Sequence, residues 1–328
     1  MTDKQTGKNV LITSAGRRVS LVQYFLHAVS QVSGGKVIAV DMHPALSAAC
    51  QIADEFESIC SVNDPDYINQ LLAVCQRRDV SLVVPTIDTE LLLLATVRQE
   101  WAEKYNINIA ISDSAFVAQC RDKRQTSKLF ESLGIRTPAE LESTSATYPR
   151  FVKPLAGSRS IDIHTVIDAS GMTDALADAS YYLHQELVDT ERFKEFTVDA
   201  FYDAGGTLRS VVPRERIEVR DGEVSKSRTH KGALVTQLAS ALEKLSGAYG
   251  CITLQFFVAL EDPASPEILG IEINPRFGGG YPLTQQAGAT YVDWLVLEHF
   301  TGQTGGYFDG WLDGLVMLRY DAEVFLRD

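Results

Sequence analysis

Glu267-Ile268-Leu269-Gly270-Ile271-Glu272-Ile273-Asn274-Pro275-Arg276 reads as a strand that leaves through a proline into Gly278-Gly279-Gly280. Side chains two apart on a strand point the same way, so Glu272 and Asn274 share a face. The strand before it, Leu254-Gln255-Phe256-Phe257-Val258-Ala259-Leu260, is apolar except for Gln255, an amide that is costly to bury without a partner. A divalent cation shared by Gln255, Glu272 and Asn274 accounts for all three. Mg²⁺ takes hard oxygen ligands, usually one or two protein carboxylates completed by water and nucleotide phosphates. Arg276 then stands where a guanidinium braces a transferring phosphoryl group through paired hydrogen bonds. The alternative is a solvated strand face beside a satisfied core glutamine. The triple glycine weighs against it, because glycine lets backbone amides, here those of Gly279 and Gly280, come close to a ligand.

Upstream the pattern changes character. From Asn9 to Ser112 short apolar strands (NVLITS, KVIAVD, FESICSV, SLVVP, NIAIS) alternate with longer amphipathic stretches, the wiring of a buried parallel sheet. Helices are expected over Arg17 to Val32, Pro65 to Arg77, Thr89 to Lys104, Ser127 to Leu133 and Ala233 to Tyr249. Past Pro138 the signal turns antiparallel: RFVKPL, IDIHTV, HQELV, EFTVDAFYD and LRSVVPRERIEV, with turns at Gly205-Gly206 and Asp221-Gly222. The expected fold class is an N-terminal doubly wound α/β domain over 1–115, followed by α+β units with antiparallel sheets and helices. A linker helix and small lid occupy 116–190, and a C-terminal unit with the metal site occupies 191–328.

Thirty basic against 43 acidic side chains give a net charge of −13, which argues against a nucleic-acid footprint and leaves small molecules as the expected partners. The five cysteines show no Cys-x-x-Cys spacing and sit among apolar neighbours, as reduced core residues do. With a polar N-terminus and no run of 18 apolar residues, a cytoplasmic protein without a membrane partner is expected.

Two loops carry further candidates. Ser14-Ala15-Gly16-Arg17-Arg18 opens a helix and lacks the Gly-x-Gly-x-x-Gly fingerprint, so it reads as a tight structural turn, a contact for a substrate anion, or a dinucleotide site. Lys153-Pro154-Leu155-Ala156-Gly157-Ser158-Arg159-Ser160 is a strand ending in a small-residue loop. It folds over phosphates with Lys153 neutralising them, or it is a surface hairpin loop.

The order of these elements resembles the ATP-grasp superfamily, most of all the group of the carbamoyl phosphate synthetase large subunit and biotin carboxylase, with one ATP-grasp unit in the chain. Asp122-Lys123 followed by Gly134-Ile135-Arg136-Thr137-Pro138 is similar to the family's Asp-Lys helix and its exit, which implies that Lys123 contacts nucleotide phosphate. Lys153 with Gly157, Ser158 and Ser160 is similar to the second lysine and mobile phosphate loop. Gln185-Glu186-Leu187-Val188 resembles the hinge, which implies that Glu186, Leu187 and Val188 receive adenine, and Glu195 matches the acid that binds ribose. Gln255, Glu272, Asn274 and Arg276 match the metal- and phosphate-binding set, with glutamine where many members carry a carboxylate.

The resemblance implies an ATP- and Mg²⁺-dependent carboxylate–amine ligase, with Mn²⁺ as a substitute ion, that passes through an acyl phosphate. A carbamate- or bicarbonate-phosphorylating enzyme and a non-catalytic nucleotide-binding module stay open, and homodimerisation is a family-level expectation. For the substrates, Arg214 and Arg216 are two apart on a strand and could clamp a carboxylate, lie on a solvated hairpin, or contact phosphate, with Arg216 entering the catalytic set beside Arg276 and Lys153. His230 is a candidate base for the incoming amine, or a structural histidine.

Overall fold

The computed structural model describes residues 7–157, 162–220 and 222–327. Its first sheet is built by β1 (Asn9–Ile12), β2 (Val37–Asp41), β3 (Glu55–Ser58), β4 (Val80–Val84) and β5 (Asn108–Ile109), with α1 (Val19–Val32), α2 (Ala48–Ile52), α3 (Tyr67–Arg77) and α4 (Asp88–Tyr105) between them. The strand order β3-β2-β1-β4-β5 is parallel throughout, and β4 is buried along its whole length, which explains its near-continuous apolar sequence.

Two helices leave this sheet, α5 (Ser114–Arg121) and α6 (Lys123–Ser132). Asp122 caps α6 by accepting from Arg124 N (2.8 Å) and Gln125 N (3.1 Å). That cap starts the helix at Lys123, a turn earlier than the apolar pattern from Ser127 predicts. Three antiparallel strands follow, β6 (Arg150–Pro154), β7 (His164–Val166) and β8 (Tyr182–Glu186), in the order β7-β6-β8.

The large sheet comprises β9 (Lys194–Tyr202), β10 (Leu208–Arg220), β11 (Glu223–Thr229), β12 (Gly250–Ala259) and β13 (Glu267–Asn274), interrupted by α7 (Ala233–Leu242) and followed by α8 (Tyr281–Gln286), α9 (Tyr291–Thr301) and β14 (Val316–Leu318). Its order is β13-β12-β9-β10-β11-β14. Helix α7 stops at Leu242 rather than near Tyr249, because the chain turns there and Gly247 takes a left-handed φ of 80°.

Alternation along the large sheet separates its two faces. Phe196, Val198, Ile252, Leu254, Phe256 and Ile273 point into a core shared with α6 and α7, where Phe130 meets Phe256 edge-on at 5.4 Å. The opposite face carries the polar side chains of the site. Next to them a second core joins α1 to α8 and α9 and to Phe201, Val212 and Cys251, so the first sheet and the large sheet are packed as one body around the cleft. Among the described helices none is long and apolar enough to cross a membrane.

Candidate functional site

Strand pairing puts Thr197, Gln255 and Glu272 in one row across β9, β12 and β13, and Asp199, Thr253 and Asn274 in the next. Glu272 Oε1 accepts from both Gln255 Nε2 and Asn274 Nδ2, each at 2.8 Å. The three candidate metal ligands therefore converge on one carboxylate, and the polar residue in the apolar strand has its partner. Among the described residues no group of three or more His, Cys, Asp or Glu side chains gathers at one point. A cation placed here would meet one carboxylate and two amide side chains and would need phosphate or water oxygens to complete its shell, a donor set that suits Mg²⁺ and does not suit a soft metal.

Two lysines face this carboxylate. Lys153, at the end of β6, is buried, and burial together with the neighbouring Lys123 pushes its ammonium down to about 8, with Glu272 acting in the opposite direction. Lys123, at the start of α6, is lowered by burial while Glu272 pulls it upward, and its Nζ donates to Gly157 O at 3.4 Å. Asp88, Lys123, Gly157, Glu272 and Asn274 line one small cavity. Two crowded cations beside one carboxylate form a pocket that favours added negative charge. A wider cleft of about 620 Å³, between the end of α6, α7 and β13, holds none of these residues.

The structure places the remaining candidates as follows. Glu186 lies at the end of β8, its Oε1 accepting from Ala139 N at 3.0 Å, and the segment after it carries an exposed Leu187 and a Val188 packed near Phe193 and Phe257. Glu195 is half-exposed and pairs with Arg216 (Oε2 to Nε, 2.9 Å). Ser158 and Ser160 fall outside the described residues.

Two expectations need correction. Arg214 and Arg216 do lie on the same face, yet Arg214 is fully buried and ion-paired with Asp199 at 2.8 Å, so it is a structural cation and not a clamp open to substrate. Arg216 is likewise committed to Glu195. His230 stacks edge-on against Phe196, whose side chain belongs to the core beneath the sheet, and so it does not face Glu272. Two glycines of the turn also have a packing reason: a Cβ on Gly280 falls 2.1 Å from Arg214 Nη1, and one on Gly278 falls 2.8 Å from Thr253 Oγ1. These glycines admit the buried arginine and threonine.

Arg276 is joined to Asp88, the first residue of α4, by Nε to Oδ1 (3.0 Å) and Nη2 to Oδ2 (2.7 Å), while Nη1 donates to Phe277 O. The guanidinium uses its side to lock the two sheets together, and each of its three nitrogens has an acceptor. Sequence reasoning missed Asp88, although its place just beyond the carboxyl end of a central parallel strand, where such sheets bind ligands, was a usable signal. It also missed Asp199, which accepts from Arg214, Thr253 Oγ1 and Thr284 Oγ1 and organises the floor of the site.

Residues 10–110 match a family described as the PylC-like N-terminal domain, and residues 120–280 match the ATP-grasp domain family. A 3-methyl-D-ornithine–L-lysine ligase of Methanosarcina barkeri is 27% identical over 165 residues, 50% of this chain and 42% of that protein, so the match spans less than half of that relative's length. Among solved structures, the biotin carboxylase domain of Hydrogenobacter thermophilus 2-oxoglutarate carboxylase superposes with a TM-score of 0.71 at 17% identity, over 95% of this chain and 74% of that one. The L-amino acid ligase of Bacillus licheniformis gives 0.68 at 16%, over 94% and 77%. At these identities the likeness is one of fold.

Proposed function

Because the chain belongs to the ATP-grasp superfamily, we propose that it is an ATP- and Mg²⁺-dependent carboxylate–amine ligase, with Mn²⁺ able to replace Mg²⁺. The observation that carries this reading is the convergence of Lys123 and Lys153 on the Gln255–Glu272–Asn274 trio in one cleft. A carboxylate and a triphosphate repel each other, so the chemistry needs fixed positive charge at their meeting point and little else from the protein.

In the proposed reaction a carboxylate oxygen of the acid attacks the γ-phosphorus, the bond to the β-γ bridging oxygen breaks, and ADP leaves. The amine then attacks the acyl carbon, the C–O bond to phosphate breaks, and an amide, phosphate and a proton are released. Lys123 and Lys153 hold the phosphates, Arg276 turns the N–H groups left over by Asp88 and Phe277 O to the transferred group, and Glu195 takes the ribose. Backbone groups of Glu186, Leu187 and Val188 receive adenine. Glu272, Asn274 and Gln255 hold Mg²⁺, which when bound neutralises phosphate charge as phosphoryl transfer proceeds. Small-molecule acids and amines as substrates, a cytoplasmic setting consistent with five free cysteines, and a homodimer belong to the same proposal.

Hydroxylamine added to enzyme, ATP, Mg²⁺ and a panel of acids should trap a hydroxamate, with one ADP formed per trapped product. Glu272→Ala and Asn274→Ala should fold and lose Mg²⁺-dependent ADP release. ADP release stimulated by bicarbonate with no hydroxamate from any acid would replace this reading by carbamate or bicarbonate phosphorylation. Near wild-type turnover in either variant would remove the metal assignment.

A further inference from the structure

Above the Gly278–Gly280 turn, away from the lysines, lies a second charged cluster that the phosphoryl chemistry does not use. The point where a Cβ on Gly279 would sit is 3.5 Å from Glu223 Oε2 and 3.7 Å from Arg18 Nη1. Arg319 joins them from the segment after β14: its Nη1 donates to Glu223 Oε2 at 2.6 Å and its Nη2 donates to Gly279 O. Arg17 acts on the same glutamate, whose carboxyl is held below its usual range by Arg319, Arg18 and Arg17 against the opposing effect of burial. One arginine thus pairs with this carboxylate and two more act on it electrostatically, in a chain whose net charge is −13. Arg17 and Glu223 are exposed, and Arg18 and Arg319 half-buried, so the cluster opens to solvent.

Arg18 connects this cluster to the phosphoryl end. Its Nη2 donates to Thr86 O at 3.3 Å, and burial together with repulsion from Arg276 pushes its guanidinium down to about 10. Its only close protein acceptor among the described residues is that carbonyl, which leaves most of its donors for another group. The loop beneath is fixed in place: Ser14 and Gly16 take positive φ values of 48° and 49°, Gly16 N donates to Asp41 Oδ2 at 3.1 Å, and Ser14 Oγ donates to buried Glu90. The start of α1 adds its partial positive charge at the same place.

We propose that Arg18, with Arg17 and Arg319, receives a second anionic group of the acid substrate, so that the acid activated in the cleft carries one carboxylate for phosphorylation and another anion held above the glycine turn. This rests on the ligase reading for the fate of the first carboxylate. Glu223 offsets the repulsion among the arginines in the absence of substrate and aligns Arg319. Either a carboxylate or a phosphate monoester supplies the anion, since both match the arginine fork.

The test measures binding and turnover separately. Calorimetry with the full chain, Mg²⁺ and a non-hydrolysable ATP analogue should show binding of diacids (L-aspartate, L-glutamate, succinate, glutarate) or of O-phospho-L-serine, and not of L-alanine or L-glutamine. Preference for O-phospho-L-serine over the diacids identifies a phosphate, the reverse a carboxylate. Arg18→Gln should weaken binding of the preferred acid by about tenfold or more, with nucleotide affinity unchanged as the check on folding. In turnover the same variant should raise KM for that acid far more than it lowers kcat. Equal binding of mono- and dianionic acids, no binding by any member of the panel, or unchanged affinity in Arg18→Gln would overturn the proposal. Arg18-dependent binding without ADP release would leave this site standing and sink the ligase reading.

Discussion

Arg276 and Asp88 stand 188 residues apart in the chain and meet in a two-point ion pair, N···O 3.0 and 2.7 Å, that ties the exit of β13 to the first helix turn beyond β4. Both are largely buried. The pair sets the width of the cleft, because the residue that ends the β13 exit is held by the sheet opposite.

Removing one partner of such a pair leaves a charge uncompensated, which is worth about 3 kcal/mol or more. Asp88→Ala is therefore expected to lower the urea midpoint markedly and to raise KM for the acid, as the two walls of the cleft lose their register. Arg276→Ala should cost similar stability but remove turnover as well. A double-variant cycle by urea unfolding checks the coupling: additive losses would show that the pair holds nothing together.

Lys153 gives a pH signature. Its ammonium titrates near 8 in the free protein because it is buried beside Lys123, so an anionic ligand that restores favourable surroundings must raise that value. The protonated form binds better, hence ADP affinity is full below about pH 8 and declines as pH rises through it, with proton uptake on binding from about pH 8 upward. Calorimetry of ADP in EDTA, in two buffers of different ionisation enthalpy, reads that uptake directly. Lys153→Arg should abolish the proton uptake, and a wild-type protein showing none would contradict the assignment.

Glu90 is buried and accepts five hydrogen bonds: Thr13 Oγ1, Thr86 N and Ile87 N on Oε1, Ser14 Oγ and Tyr67 OH on Oε2. Both backbone donors sit on one oxygen. Glutamine can keep its carbonyl there and turn its amide toward two hydroxyls that also accept. Glu90→Gln should thus cost only about 1 kcal/mol, whereas Glu90→Ala, which strands buried N–H groups, should cost about 3 and loosen the loop that carries Arg18. Equal melting temperatures for the two variants would refute this account.

How much was legible follows from the range of each signal. The shared face of Glu272 and Asn274 on β13 could be read because strand alternation is local, and the parallel sheet because buried strands leave apolar runs. The partner of Arg276 could not, since pairing over 188 residues leaves no mark in either neighbourhood. The same holds for Arg214: its spacing from Arg216 gave the shared face correctly, but only the third dimension brings Asp199, Thr253 and Gly280 around it. His230 misled for the opposite reason, because lying between functional strands in sequence says nothing about which face of the sheet a side chain takes.

Gly280 and Gly279 differ in a way that one methyl group can expose. At Gly280 the backbone φ is −88°, open to any residue, so the obstacle to alanine is space alone: its Cβ would lie 2.1 Å from Arg214 Nη1 and 2.9 Å from Val224 Cγ1, both buried. Arg214 cannot retreat without loosening Asp199. Gly280→Ala should therefore cost about 1–3 kcal/mol by overpacking and lower the melting temperature. At Gly279 the nearest atoms stand at 3.5 Å, ordinary contact distance, and they belong to Glu223 and Arg18 at the mouth of the cleft. Gly279→Ala should melt with the wild type yet bind the acid substrate more weakly, because its methyl occupies the space above the turn. Thermal unfolding of the two variants, followed by acid titration of Gly279→Ala, separates packing from recognition. A stability loss at Gly279 equal to that at Gly280 would show that the whole turn is structural.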